Sequence, residues 1–476
     1  MNLNQTLQEK YPHLEVSVLK LSEVKKNIDF RIDDSFWTMK LIYNNKLNYK
    51  KIGECLLKSQ YGISINMNEG GDGIPIYRMN DIDNMLCNFE VKKYALIDKN
   101  ELQTFRLNYG DVLFNRTNSY EFVGRTGIFY NNRENFVFAS YLVRLVCNKE
   151  ILLPEYLTVF LNTHIGKKEI RRRARPSINQ TNVNPEELKE IKIPIFPMEF
   201  QLEIQNLVKD SHKALEESKE LYKKAEETLY LELGLDPKNP LQSLLDSKTN
   251  NPTNSPNISI HTLKESFLKT GRLDSEYYQS KYEDIEKFIK SYPNGYDSFS
   301  NIINNKDTNF TPKNNENYSY IELANIGNNG NISEPISDLG KNLPTRARRI
   351  VSKGDVIISS IEGSLSSCAL ITQEFDKHLV STGFFVLNSK LLNGETLLVM
   401  FKSQIFQEYL KKFPSGTILC AINKEELSKI LIPKIDSTTQ EKIAKYIQES
   451  FNLRKKSKQL LDNAKNKVEE QIQGKT

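Results

Sequence analysis

Apolar residues along this chain follow two periods. Short runs such as 73–79 (GIPIYRM), 111–115 (DVLFN), 136–146 (FVFASYLVRLV) and 355–361 (DVIISSI) are rich in β-branched and aromatic residues and read as strands. Between them lie stretches of helical spacing, 154–172 and 395–413. Two longer patterns run from about Glu199 to Leu233 and from about Thr439 to Gln471, each after a proline-bearing strand end, and both fit a heptad. One column of the first holds Ile204, Ser211, Ser218 and Ala225; its counterpart holds Ile443, Ser450, Ser457 and Ala464. A seam of Leu207/Val208, Leu215, Leu221/Tyr222 and Leu229 runs beside it, matched by Tyr446/Ile447, Leu453, Leu460/Leu461 and Val468. Small residues beside an apolar seam let two helices approach closely, which predicts an antiparallel coiled-coil pair. At about 1.5 Å per residue, such helices make a rod near 50 Å long. Ser437, Thr438 or Thr439, with Glu441 nearby, is the expected start of the second.

The two long patterns belong to a larger repeat. RIDDSFW from Arg31 returns as RLDSEYY from Arg272, GDVLFN from Gly110 as GDVIIS from Gly354, and VNPEELKEIKIP from Val183 as INKEELSKILIP from Ile422. Three matches in one order mark a duplication. The first unit spans about Glu15 to Leu235 and the second about Ile258 to the end, with a Pro-, Asn- and Ser-rich linker between. The fold class is α/β: two tandem repeats, each a mixed α/β domain followed by a long helix.

Composition narrows the function. The 476 residues include 65 basic and 60 acidic side chains, a net +5, which permits nucleic-acid binding without demanding it. No 18-residue apolar run exists and the first residues do not read as a signal peptide, so a cytoplasmic protein is expected. Five scattered cysteines without a CxxC pair argue against a zinc finger or a disulfide framework. There is no Walker A motif, and GGDG at 70–73 reads as a turn. The Asn-Pro pairs lack the following proline of amino-methyltransferases, and Glu187-Leu188-Lys189 reads as a charged helix start rather than a nuclease site. The chain is expected to catalyse nothing and to hold no metal.

Flat polar and basic groups are better represented. Arg171, Arg172, Arg173 and Arg175 stand beside Ser177, Asn179, Gln180, Thr181 and Asn182. A loop after a strand adds Asn115, Arg116, Asn118 and Ser119, and a third cluster holds Tyr77, Arg78 and Asn80. In the second unit the candidates are Arg346, Arg348 and Arg349, then Ser359, Ser360 and Ser364, then Thr417. Arginine can bridge phosphates or guanine edges, and Asn or Gln can pair with adenine.

RIDDSFW/RLDSEYY opening each unit, GDVLFNRTNS with the following VGRTGIF, and SINQTNVNPEELKEIKIPIFPMEFQLEI closing the first resemble the specificity (S) subunits of type I restriction–modification systems. The second copy is looser, with ISSIEGS in place of FNRTNS. The resemblance implies target-recognition domains at 1–198 and 257–438, spacer helices at 199–235 and 439–476 and a linker at 236–256. It implies a non-catalytic reader of double-stranded DNA with a bipartite, asymmetric site. Its partners would be methyltransferase (M) subunits, which use S-adenosylmethionine to methylate adenine N6, and restriction (R) subunits, which use ATP and magnesium. Dissimilar recognition loops imply different half-sites, roughly one helical turn of 34–36 Å apart. Alternatives are a subunit of a related type IIB system, an assembly scaffold that binds no DNA, or an enzyme with an unrecognised site.

Overall fold

The computed structural model describes residues 3–14, 16, 18–39, 41–131, 135–178, 180–246, 260–327, 329–416 and 420–474. The chain divides into two compact units, 1–215 with 455–476, and 216–454. Each takes a share of two long helices, Met198–Glu232 and Ser437–Gln473.

Unit 1 is built on a mixed sheet whose strands lie in the order Leu56–Tyr61, Leu142–Cys147, Val112–Asn115, Thr126–Ile128, Leu86–Cys87, Ile82–Asp83. Its centre is buried on both faces: Val112, Leu113, Phe114, Leu142, Val143 and Leu145 are all fully buried. That explains why these strands read as continuous apolar runs rather than alternating ones. Ile74–Tyr77 pairs in parallel with Val137–Phe138 in a smaller sheet. Unit 2 repeats the central order with Ile303–Asn305, Phe384–Ser389, Val356–Ser359 and Cys368–Leu370. Its own parallel pair joins Asn317–Ile321 to Leu379–Ser381.

The repeated motifs have structural work. At Gly110 and Gly354, φ is +90° and +88°, a left-handed turn that disfavours any side chain, and the following aspartates close it. Asp111 accepts from the Asn108 amide at 2.9 Å and Asp355 from the Ser352 amide at 2.7 Å. RIDDSFW and RLDSEYY are clasps. Arg31 donates to Asp33, to buried Glu187 at 3.0 Å and to the Arg173 carbonyl at 2.8 Å, while Trp37 donates back to the Arg31 carbonyl. Arg272 repeats this with Asp274, the Phe413 and Pro414 carbonyls, and Tyr278 in place of the tryptophan.

Each helical stretch read from the sequence is two helices. Pro154–Asn162 gives way to His164–Arg173, and Gly394–Lys402 to Gln404–Leu410. At each break a hydroxyl residue in extended conformation caps the next helix: Thr163 accepts from Gly166 and Ser403 from Phe406. The start of the second long helix is also corrected. Asp436, one residue earlier than expected, accepts from the amides of Thr438 and Thr439 at 2.8 and 3.3 Å.

Both long helices enter through a buried glutamine. Gln201 binds the Leu153 amide and the Ile151 and Phe196 carbonyls; Gln440 binds the Asn393 amide and the Leu391 and Ile435 carbonyls. Within unit 1, Ser211 Oγ lies 2.8 Å from Ser457 Oγ and donates to the Ser457 carbonyl, while Lys467 pairs with Glu203. Within unit 2, Ser218 Oγ lies 3.0 Å from Ser450 Oγ, and Thr439 donates to Glu232. In both units one helix ascends as the other descends, so the pairing is antiparallel. Ile204, Ala225, Ile443 and Ala464, the remaining members of the column, are fully buried.

Candidate nucleic-acid interface

Two candidate segments of unit 1, some sixty residues apart in sequence, share one small sheet. Thr181–Asn182 lies between Arg175–Pro176 and Thr117–Asn118, pairing Arg175 with Asn182 and Thr181 with Asn118. Thr117 donates to the Asn182 side chain at 2.6 Å, and the Ser177 amide to the Gln180 carbonyl at 2.7 Å. The result is a hairpin whose exposed end carries Ser177 and Gln180, beside a loop carrying half-buried Asn118 and exposed Ser119.

Aromatic rings back the cations around it. The Arg116 guanidinium lies 5.0 Å from the Tyr61 ring centroid, that of Arg171 5.8 Å from Tyr120, and that of Arg125 4.0 Å from Phe122. Tyr61 and Tyr120 are about half exposed, at 49% and 50%. A guanidinium held against a ring keeps its donor edge free for a flat acceptor such as a phosphate or a base edge. Tyr61, Tyr120, Phe122 and Arg125 are absent from the sequence-derived candidates. The aromatic and basic residues interleaved in SYEFVGR (119–125) were the available signal.

The other arginines hold the fold. Arg173 is buried against Glu169, Arg175 pairs with Glu187 at 3.0 Å and with Asp29, and Arg172 lies over Phe36 and donates to its carbonyl at 2.7 Å. Burial, and then the neighbouring Arg173 charge, push the Arg172 guanidinium below its ordinary value. Tyr77 and Asn115 are fully buried and are corrected to core positions. Tyr77 donates to the Asn88 carbonyl, and Asn115 accepts from the Thr117 amide at 3.3 Å, closing the strand-to-loop turn. Half-buried Arg78 and exposed Asn80 stand beside the smaller parallel-paired sheet, where the Arg78 amide donates to Asp81 at 2.8 Å. Asn179 lies outside the described residues.

Unit 2 uses the same layout with different chemistry. Bridges Ile361–Ala421 and Ser415–Ala421 bring the 359–364 turn to the chain around 415, as the small sheet does in unit 1. Ser359, fully buried, takes the place of Asn115: it accepts from the Ile361 amide at 3.2 Å and meets Ser364 Oγ at 2.8 Å. Ser359 is therefore also a turn former. Ser360 donates to the Gly383 carbonyl. Arg348 donates to Thr345, and Arg349, its guanidinium held low by burial, to the Phe384 carbonyl; Arg346 is exposed. Thr417 lies outside the described residues.

Residues 64–227, which include the hairpin and its loop, match the family described as Type I restriction modification DNA specificity domain. The chain is 22% identical over 415 residues to the putative type I restriction enzyme MjaX specificity subunit of Methanocaldococcus jannaschii, covering 86% of this chain and 88% of that protein. It is 27% identical over 161 residues to the type I restriction enzyme EcoKI specificity subunit of Escherichia coli, covering 33% and 34%. The crystal structure of a type I S subunit from M. genitalium aligns over 90% of this chain and 96% of that one, at 14% identity and a TM-score of 0.43. A long alignment with one specificity subunit, shorter ones with others and a matched specificity domain agree. The chain is thus similar to type I restriction enzyme specificity subunits along most of its length, and residues 64–227 match a type I restriction modification DNA specificity domain.

Proposed function

We propose that this chain is the DNA-recognition subunit of a type I restriction–modification complex, with each α/β unit reading one half of a bipartite, asymmetric double-stranded site. The observation that carries this reading is the surface in unit 1 where the loop carrying Arg116 and Asn118 pairs with the hairpin carrying Gln180, inside the residues that match the specificity domain. Unit 2 builds the same frame from serines, Ser359 closing the turn that Asn115 closes in unit 1, and this different chemistry supports two different half-sites rather than a palindrome. In this reading the chain is non-catalytic. Methyltransferase subunits supply S-adenosylmethionine and adenine-N6 methylation, restriction subunits supply ATP- and magnesium-dependent cleavage, and the paired helices act as a coiled-coil spacer.

The test is single-molecule methylation sequencing of a host carrying the partner methyltransferase gene, with and without this chain. A split, asymmetric motif bearing N6-methyladenine is expected only when the chain is present. A motif independent of the chain would overturn the reading, and a chain that binds the methyltransferase without changing methylation would point to a scaffold.

A further inference from the structure

Next to the hairpin, unit 1 gathers positive charge that the base-reading face does not use. Lys167 and Arg171 are one turn apart on the helix His164–Arg173 and so share a face. The loop bearing Arg125 lies on that helix: a Cβ at Gly124 would sit 2.6 Å from Ile170. The start of the same helix is fastened to the second long helix, where Glu469 accepts from the His164 amide at 2.7 Å and pairs with its ring at 2.8 Å. Lys465 is one turn from Glu469. Of the acidic groups here, Glu469 is engaged by His164, Asp462 pairs with Lys465 at 2.6 Å, and Glu121 is exposed on the loop. Partial burial, then the charges of Lys465, Arg171 and Arg125, hold the Lys167 ammonium below its ordinary value, as expected where cations crowd one another.

Among the described residues, unit 2 has no matching cluster. By its place beside the strand turn, Arg125 corresponds to Ser367, since the Asn115 amide donates to the Arg125 carbonyl and the Ser359 amide to the Ser367 carbonyl. Counting from the matching caps Thr163 and Ser403, Lys167 corresponds to Gln407 and Arg171 to Lys411. Glu226 stands one residue past Ala225, as Lys465 does past Ala464. Gln407 is tied to the Leu365 and Phe401 carbonyls, and Lys411 pairs with Glu408 at 2.7 Å.

We propose that Arg125, Lys167, Arg171 and Lys465 form a grip for the DNA phosphate backbone that unit 1 has and unit 2 lacks. The proposal rests on the DNA-recognition reading and divides its labour: these cations supply sequence-independent affinity, while Arg116, Asn118 and Gln180 face the bases. Each phosphate contact contributes about 0.9 to the slope of log affinity against log salt.

The experiment is a salt titration of the full-length chain on a duplex of about thirty base pairs. The Lys167→Gln/Arg171→Gln double variant is expected to lower the slope by about 1.8, whereas Lys411→Gln leaves it unchanged. The charge-conserving Lys167→Arg/Arg171→Lys pair is expected to keep it. A wild-type slope in the double variant would overturn the grip while leaving the DNA-recognition reading intact. So would an equal fall in Lys411→Gln, or a loss in the charge-conserving pair. Salt-insensitive binding by the unaltered chain would overturn both.

Discussion

An arginine in this protein is defined by what its guanidinium meets. Arg31 sits between buried Glu187 and two backbone carbonyls, so it closes the start of the unit against the chain leaving the helix His164–Arg173. Burial alone would lower its pKa, but Asp33 and Glu187 hold it above the ordinary value, so it stays charged throughout the accessible pH range. Among the described residues, Arg31→Ala leaves Glu187, whose side chain is 1% exposed, with only the more exposed Arg175 as an ion-pair partner. A loss of about 3–5 kcal/mol is expected in chemical denaturation, the range for breaking a buried pair. Arg272→Ala is expected to cost less, because Glu426 lies at 4.0 Å rather than 3.0 Å. Arg116 has a different setting: its guanidinium lies on Tyr61 beside an exposed loop. Arg116→Ala is expected to relax one half of the methylation motif and preserve the other; an equal loss in both halves would sink its assignment to one reader.

At the scale of elements, small side chains set how closely the long helices approach. Ser211 and Ser457 share a hydroxyl–hydroxyl contact, and Ser218 and Ser450 make its counterpart in the other unit. Ser211→Ala removes hydrogen bonds from a fully buried position and is expected to cost about 1 kcal/mol. Ser211→Leu must also force the backbones apart, costing about 1–3 kcal/mol through overpacking. Thermal or urea unfolding of the full chain should therefore rank leucine below alanine; equal losses would mean that the column is not tightly packed. The broken helix pairs Pro154–Asn162/His164–Arg173 and Gly394–Lys402/Gln404–Leu410 also depend on small side chains. Thr163 and Ser403 interrupt otherwise continuous helical spacing, because a capping hydroxyl in extended conformation satisfies the amides of a new helix and turns the chain.

For the whole molecule, the proposed spacer can be tested by length. Deleting 212–218 together with 451–457 removes one heptad from each long helix and keeps Ile204 opposite Ala464 and Ala225 opposite Ile443 in the column. Seven residues at about 1.5 Å each amount to about 10 Å, or about three base pairs at 3.4 Å. The methylation motif is expected to keep its two half-sites and to lose about three of the unread positions between them. An unchanged gap would show that the helices do not set it.

The sequence by itself determined the duplication, the α/β class and the paired long helices, because these rest on local periods and on repeated motifs that survive in the order of residues. Even the serine column was legible, since heptad spacing places its members on one helix face. The surface was not. FNRTNS and ISSIEGS share almost no letters, yet Asn115 and Ser359 close the same turn, a likeness of hydrogen bonding rather than of residue type. The RRRAR run looks uniformly basic, but only the fold brings Glu187 and Asp29 to Arg175 while leaving Arg171 on an exposed tyrosine. Whether a cation holds the chain together or faces outward depends on carboxylates and rings distant in sequence, and so only the tertiary structure decided it.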